Sequence, residues 1–350
     1  MSAPLRWGIA GTGSIAAQFA TDLALSSGNV LVAVASRAAE RSSEFGARFG
    51  VRQCHASYSS LAEDPAVDVV YVATPQSRHA DDARLFLAGG KHVLCEKPFA
   101  LNAVQARAMV AEARTQDRFL MEAMWTRFLP PYVELRSLLD AGTIGAPLFV
   151  DASFGLRWPL DPGHRLFDRA LGGGSLLDLG IYPLQLCRMV LGPITRVVGR
   201  GIVGTTDVDE LVVGITEHQN GALGNFQSAL RANLSCEARI VGTEGVVRIP
   251  AMMHCPKHLD LTTQGTRRIE TPWEGAGLRF QADEVLRCIQ RGWTESPTMP
   301  WDETIELAET MDAIRSQIGV SYSGETSPSD KSDDRRGASP DLNARPTEDG

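Results

Sequence analysis

Leu5-Arg6-Trp7-Gly8-Ile9-Ala10-Gly11-Thr12-Gly13-Ser14-Ile15-Ala16 is the stretch that decides the fold. Six residues that read as a buried strand run into a G-x-G-x-x-A. From Ser14 onward, Ile15, Phe19 and Leu23 recur every four residues and so share one face of a helix. Strand, glycine turn and helix in that order form a dinucleotide-binding unit. The first glycine permits the tight turn, the second lets backbone approach a pyrophosphate, and Ala16 lets the helix lie close on the strand. The helix N-terminus then faces the phosphates. Gly11, Thr12, Gly13, Ser14 and Ile15 are therefore candidate cofactor contacts, although a lone motif of this kind is also read as a tight strand-to-helix turn.

Outward from that turn the rhythm continues. Val30 to Ala35, Val67 to Ala73 and His92 to Cys95 read as further buried strands separated by amphipathic stretches, which is the βαβ alternation of a parallel, doubly wound sheet. Where an NAD site carries Asp or Glu for the ribose 2′-hydroxyl, the second strand ends in Ser36-Arg37. A carboxylate there would repel a 2′-phosphate. Arg37 can pair with that phosphate and lie on the adenine, while Ser36 supplies a hydroxyl. NADP is the expected cofactor, with NAD as the alternative; the plainer reading of Arg37 is a surface cation at the start of the next helix.

From about Pro147 the pattern changes. Leu234, Cys236, Ala238 and Ile240 face one way and Ser235, Glu237 and Arg239 the other, as in an antiparallel sheet with one wet or partner-covered face. Gly242-Thr243-Glu244-Gly245 reads as a turn before Val246 to Ile249, and helices are expected over Phe280 to Arg291 and Asp302 to Ile318. Residues 321–350 hold Ser, Gly, Pro and mixed charge with almost no large apolar side chain, so they cannot offset their ordering entropy and read as a disordered tail. The expected architecture is α/β. A Rossmann-type, doubly wound parallel sheet spans 1–128, a C-terminal α+β domain with a large, mostly antiparallel sheet spans 129–320, and the tail spans 321–350.

Composition agrees with two ordinary globular domains. The chain has 350 residues, 43% hydrophobic and 22% charged, against about 150 residues per domain. Its 34 basic and 42 acidic residues give a formal charge of -8 with no concentrated basic run, which argues against a nucleic-acid partner. Six cysteines are scattered, and the opening Met-Ser-Ala-Pro-Leu-Arg has no apolar leader, so a cytoplasmic protein without a disulfide framework is expected. No apolar stretch approaches the roughly 18 residues of a membrane span. Neither a G-x-x-x-x-G-K-[ST] nor a G-x-S-x-G occurs to indicate nucleoside triphosphate or serine hydrolase chemistry. His254-Cys255-Pro256-Lys257-His258 contains zinc-ligand types without a second pair at structural-site spacing, so it reads as a loop and no metal is expected.

Two more segments sit at the carboxyl edge of the first sheet, where ligands bind in such folds. One is Thr74-Pro75 followed by His79; the other is Gly90-Lys91-His92-Val93-Leu94-Cys95-Glu96-Lys97-Pro98. With the glycine turn and the all-β second half, they resemble the Gfo/Idh/MocA oxidoreductases over nearly the whole chain up to about residue 320. Arg6 to Ile9, Glu122 to Phe128, Arg165 to Asp168 and Gly172 to Pro183 are similar to the branch of dimeric dihydrodiol dehydrogenases and NADP-dependent D-xylose dehydrogenases. Tyr182 stands where many family members carry His. The resemblance implies that Thr74, Pro75, His79, Glu96 and Lys97 line the cofactor, and that Lys97 reaches the substrate hydroxyl with its bond to Pro98 often cis. It also implies that Trp125 walls the nicotinamide or substrate pocket and that the second-domain sheet forms a homodimer. Arg127 would support the cofactor end, or serve as a surface cation. Phe154, Arg157 and Trp158 are further substrate-side candidates.

The residues themselves support a catalytic group. Ser175 can cap a helix after three glycines. Asp178 and Tyr182, four apart, share one face of it. A phenol with an ordinary pKa near 10 is a poor base and needs a nearby cation, a role open to Lys97. Pro183 should kink this helix. The expected activity is NADP-dependent hydride transfer from a hydroxyl of a sugar or cyclic diol, such as a D-xylose-like or trans-dihydrodiol substrate, with Tyr182, Lys97 and Asp178 handling the proton. The alternatives are reduction of keto-sugars or dicarbonyls, and a non-catalytic NADP-binding sensor.

Overall fold

The strand Leu5–Ala10 (β1) lies inside a six-stranded, all-parallel sheet with β2 (Asn29–Ala35), β3 (Gln53–His55), β4 (Val69–Val72), β5 (His92–Glu96) and β6 (Leu120–Ala123). The order β3-β2-β1-β4-β5-β6 is that of the doubly wound dinucleotide-binding fold, with its switch point between β1 and β4. All four residues of β4 are buried because helices cover both sheet faces. The helix Ser14–Leu23 packs through Ala16, Phe19 and Leu23, and Phe19 stacks on Tyr71 at 4.0 Å between ring centroids. This computed structural model describes residues 3–322.

The second half forms an eight-stranded sheet from β7 (Pro147–Gly155), β8 (Ile194–Val203), β9 (Asp209–His218), β10 (Leu223–Ala229), β11 (Ala238–Gly242), β12 (Val246–Ile249), β13 (His258–Thr262) and β14 (Thr266–Glu270). Their order is β14-β13-β12-β11-β7-β10-β9-β8, with only the β7–β10 pair parallel. The alternation read from Leu234 is present in burial, but the strand begins only at Ala238, since Cys236 takes a left-handed φ of 54° that breaks extended pairing. One face of this sheet packs on the helix Ile181–Leu191. The helix Trp301–Ile318 joins the two halves, lying on β8 and on the first-domain helix Ala103–Gln116.

Two sequence expectations are corrected here. The tail does not begin at 321: Ser321 accepts from Arg169 Nε at 2.7 Å, and the buried Tyr322 donates its hydroxyl to the Gly173 carbonyl at 2.7 Å. A large aromatic side chain repays the ordering that its polar neighbours could not. The remainder of the expected tail lies outside the described residues. Second, Asp178 and Tyr182 are not on one continuous α-helix. Leu176–Gly180 is a π-helical turn, and the α-helix starts at Ile181, so Pro183 falls in its first turn where a missing N–H costs little.

Candidate active site

The carboxyl ends of β1, β2, β4, β5 and β6 converge on one edge, and the cofactor candidates lie along it. Gly11 has a φ of 107°, and a Cβ there would stand 2.6 Å from the Ala73 carbonyl oxygen, so only glycine allows the turn. A Cβ at Gly13 would meet nothing within 4 Å, leaving open the approach that a pyrophosphate needs. Thr74 Oγ1 at the end of β4 is buried without a hydrogen-bond partner. Glycine cradle, orphaned hydroxyl and helix N-terminus fit a nicotinamide dinucleotide. Ser36 closes β2, its Oγ accepting from the Ala38 N–H at 3.4 Å, and Arg37 beside it is exposed.

Glu96 ends β5 and is buried, accepting the Tyr71 hydroxyl and, at 3.1 Å, the Lys97 backbone N–H. The Lys97–Pro98 bond is cis. Lys97 Nζ donates to the Asp178 carbonyl at 2.7 Å, approaches Asp178 Oδ1 at 3.8 Å and stands 4.9 Å from the Tyr182 ring centroid. Arg165 Nη1 donates to the same Asp178 Oδ1 at 2.8 Å. Burial pushes the Asp178 carboxyl up, but Lys97 and then Arg165 outweigh it and hold the group below its ordinary value. Burial pulls Lys97 down, and Tyr182, Asp178 and Glu96 together more than reverse that, so it stays charged. The expected lowering of the Tyr182 pKa is not the net result: burial raises it, and Lys97 offsets only part.

Tyr182 also accepts from Trp125 Nε1 at 3.0 Å, and the buried Phe154 meets its ring edge-on at 5.4 Å. Trp125 and Phe154 are thus both brought against Tyr182. Arg157 and Trp158 lie on exposed chain just beyond β7, where Trp158 stacks on His164, the neighbour of Arg165.

Three other residues do something different from what was expected. Arg127 is wholly buried and is no surface cation. It donates to Gln185 Oε1 at 2.9 Å, to the Thr298 carbonyl at 3.1 Å and to Glu303 Oε1 at 2.5 Å, so it ties helices together. His79 is buried between the Pro98 and Thr74 carbonyls, at 2.8 and 3.0 Å, and braces the two edge loops. Ser175 makes no cap of its own; Asp209, from β9, accepts both the Leu176 N–H at 2.7 Å and the Ser175 hydroxyl at 2.8 Å.

Sequence reasoning missed two residues of the site. Arg165 was quoted without a role, since its distance from Asp178 along the chain carries no periodic signal. His254 was set aside in a loop. Its ring stacks on Phe154 at 4.5 Å, meets Trp125 edge-on at 5.8 Å and lies 5.4 Å from Tyr182. Among the described residues, no group of three or more His, Cys, Asp or Glu is placed to hold a metal ion.

Fold and site together define a nicotinamide-dependent oxidoreductase. The chain belongs to the Gfo/Idh/MocA family: residues 5–124 match its NAD-binding Rossmann oxidoreductase domain and residues 132–248 its C-terminal domain. It is 38% identical over 333 residues to trans-1,2-dihydrobenzene-1,2-diol dehydrogenase of Bos taurus, covering 91% of this chain and 98% of that one. The Homo sapiens enzyme of the same name is 38% identical over 334 residues, with the same coverage. Among solved structures, aldose-aldose oxidoreductase from Caulobacter crescentus, complexed with glycerol, superposes with a TM-score of 0.83 at 26% identity, over 90% of this chain and 97% of that one. A 3-ketoreductase from Actinomadura kijaniata with NADP and TDP-benzene gives 0.81 at 25%, over 90% and 98%.

Proposed function

We propose that the protein oxidises a secondary or anomeric hydroxyl of a cyclic diol or sugar, using NADP, with Tyr182 taking the hydroxyl proton. The observation that carries this reading is the placement of Lys97. From the end of β5, on the same sheet edge as the glycine turn, it reaches the Asp178 carbonyl at 2.7 Å and lies 4.9 Å from the Tyr182 ring centroid, joining the cofactor edge to the phenol. The bound nicotinamide supplies the hydride acceptor. Tyr182 first releases its own proton to solvent, a loss that the Lys97 charge favours against burial, and the phenolate oxygen then takes the proton of a carbinol held between it and Lys97. Trp125 Nε1 donates to that oxygen and orients it. Asp178 holds the ammonium through its carbonyl and carboxylate, and Arg165 fixes that carboxylate from the other side.

Diol and sugar substrates are supported by the dihydrobenzenediol dehydrogenases and the aldose-aldose oxidoreductase to which the chain is similar. The same groups run backwards would reduce a ketone, as the similar 3-ketoreductase does by name. NADP is favoured by exposed Arg37 and the lack of an acid at the end of β2. A homodimer through the outer face of the second sheet and a cytoplasmic setting complete the reading; among the described residues no helix is long and apolar enough to cross a membrane.

The test is a panel of pentoses, hexoses, trans-dihydrodiols and dicarbonyls with NADP and NAD, followed by absorbance of the reduced nicotinamide. Turnover of a hydroxyl substrate with NADP is expected. Tight NADP binding with no turnover of any compound would return the protein to the sensor class.

A further inference from the structure

His254 packs against Trp125, Phe154 and Tyr182 at the end of a loop that is held from several sides. Thr126 Oγ1 donates to the His254 carbonyl at 2.9 Å, Tyr132 donates to the Met253 carbonyl at 2.8 Å, and the Met253 N–H donates to Cys236 at 2.8 Å. Met252, just before, takes a left-handed φ of 63°, a conformation an L side chain adopts at a cost. These contacts fix the ring against Phe154, Trp125 and Tyr182. Its Nε2 lies 3.5 Å from Cys255 Sγ, but Nδ1 is buried with no partner at all. Burial, reinforced by Lys97, pushes its pKa down to about 4, so the ring is neutral at ordinary pH.

We propose that His254 Nδ1 hydrogen-bonds a substrate hydroxyl adjacent to the one being oxidised, and so selects vicinal diols and polyols over simple alcohols; this rests on the dehydrogenase reading above. A buried imidazole nitrogen without a partner is costly, and a hydroxyl of a substrate seated beside the ring would satisfy it. Its tautomer is set only by a weak thiol contact, and a hydroxyl serves either tautomer because it both donates and accepts. A carbonyl or carboxylate would serve only one. The other walls are aromatic and fit the carbon ring of a cyclic polyol, while His254 places one polar atom among them, a few ångströms from the Tyr182 phenol.

The test compares kcat/KM for trans-cyclohexane-1,2-diol and cyclohexanol with NADP in the full-length chain, His254→Phe and His254→Asn. The unaltered chain should prefer the diol. His254→Phe keeps the stack on Phe154 and should lower the diol value about 10- to 100-fold, mostly through KM, and the cyclohexanol value by a much smaller factor. His254→Asn, which returns a polar atom near Nδ1, should recover part of the preference. Equal losses for both alcohols, or no diol preference at the outset, overturn the proposal. If neither alcohol turns over, the dehydrogenase reading is decided separately by the substrate panel above. The His254 assignment is then decided by tryptophan fluorescence titration of the NADP complex: diol affinity weakened by His254→Phe supports it, and unchanged affinity overturns it.

Discussion

Burial and charge pull the Tyr182 hydroxyl in opposite directions, burial holding the proton on and Lys97 easing it off. In the proposed mechanism, proton transfer therefore depends on the lysine. Tyr182→Phe keeps the ring against Phe154 and removes the transferable proton, so kcat should fall by about two to four orders of magnitude with NADP affinity nearly unchanged. Lys97→Met should behave alike, and the double variant should lose far less than the product of the two, because the pair acts as a unit. Steady-state turnover and cofactor titration check this; a Tyr182→Phe enzyme of near-normal turnover passes the proton role to Lys97 or Asp178. At the other end of the cofactor edge, Arg37→Asp should weaken NADP binding by at least about tenfold and leave NAD almost untouched. Equal weakening of both would remove the 2′-phosphate contact. Lys97, Asp178 and Tyr182 were legible because motif position and residue type coincide there. Arg127 was misread because its side chain turns inward to Glu303, a contact between residues remote in sequence.

Strands and helices of the first half were legible because burial on both sheet faces writes continuous apolar runs into the chain. The π-helical turn was not: its cap comes from Asp209, across the domain, and no local signal marks it. The same is true of His92 at the start of β5. Its Nδ1 accepts the Phe119 N–H at 2.9 Å, and burial, aided by Arg118, holds its pKa down to about 4. In the unfolded chain a histidine titrates near 6.5. Between these values the unfolded state binds the proton and the folded state does not, so this contribution is complete above about pH 6.5, declines as pH falls and is gone below about 4. Allowing for the partial exposure of the ring, urea unfolding should show a loss of about 2 kcal/mol across that window from this residue. His92→Gln, which retains an acceptor but does not titrate, should flatten the profile there. An unchanged slope would mean that His92 titrates alike in the folded and unfolded states.

At the scale of the whole molecule, one face of the eight-stranded sheet is covered by helices and the other carries an apolar patch. Val198 and Ile202 of β8, Val213 and Ile215 of β9, Leu223 of β10 and Phe149 of β7 all lie on it, with Val198 opposite Ile215 and Leu223 opposite Phe149 in register. Ile202 is 59% exposed and Ile215 50%. A group of large apolar side chains on neighbouring strands from β7 out to the edge strand β8 differs from the scattered exposure normal to any surface, and it is the kind of patch that association buries. A second copy is the simplest cover, since a two-fold axis presents the same patch from both sides. Toward β11 and β12 the outer face turns to Asp151, Arg239 and Arg248, which can form a polar rim. Light scattering at micromolar concentration should therefore give twice the 37.8 kDa chain mass. The double substitution Ile202→Asp with Ile215→Asp puts two carboxylates on each side of that axis, where desolvation and like-charge repulsion add, and should yield monomers. Both positions lie on the sheet face turned away from the helix that carries Tyr182, so NADP binding should survive in the monomer. A parent chain that scatters as a monomer, or a double variant that remains dimeric, would leave this face to a different partner and move any self-association elsewhere on the surface.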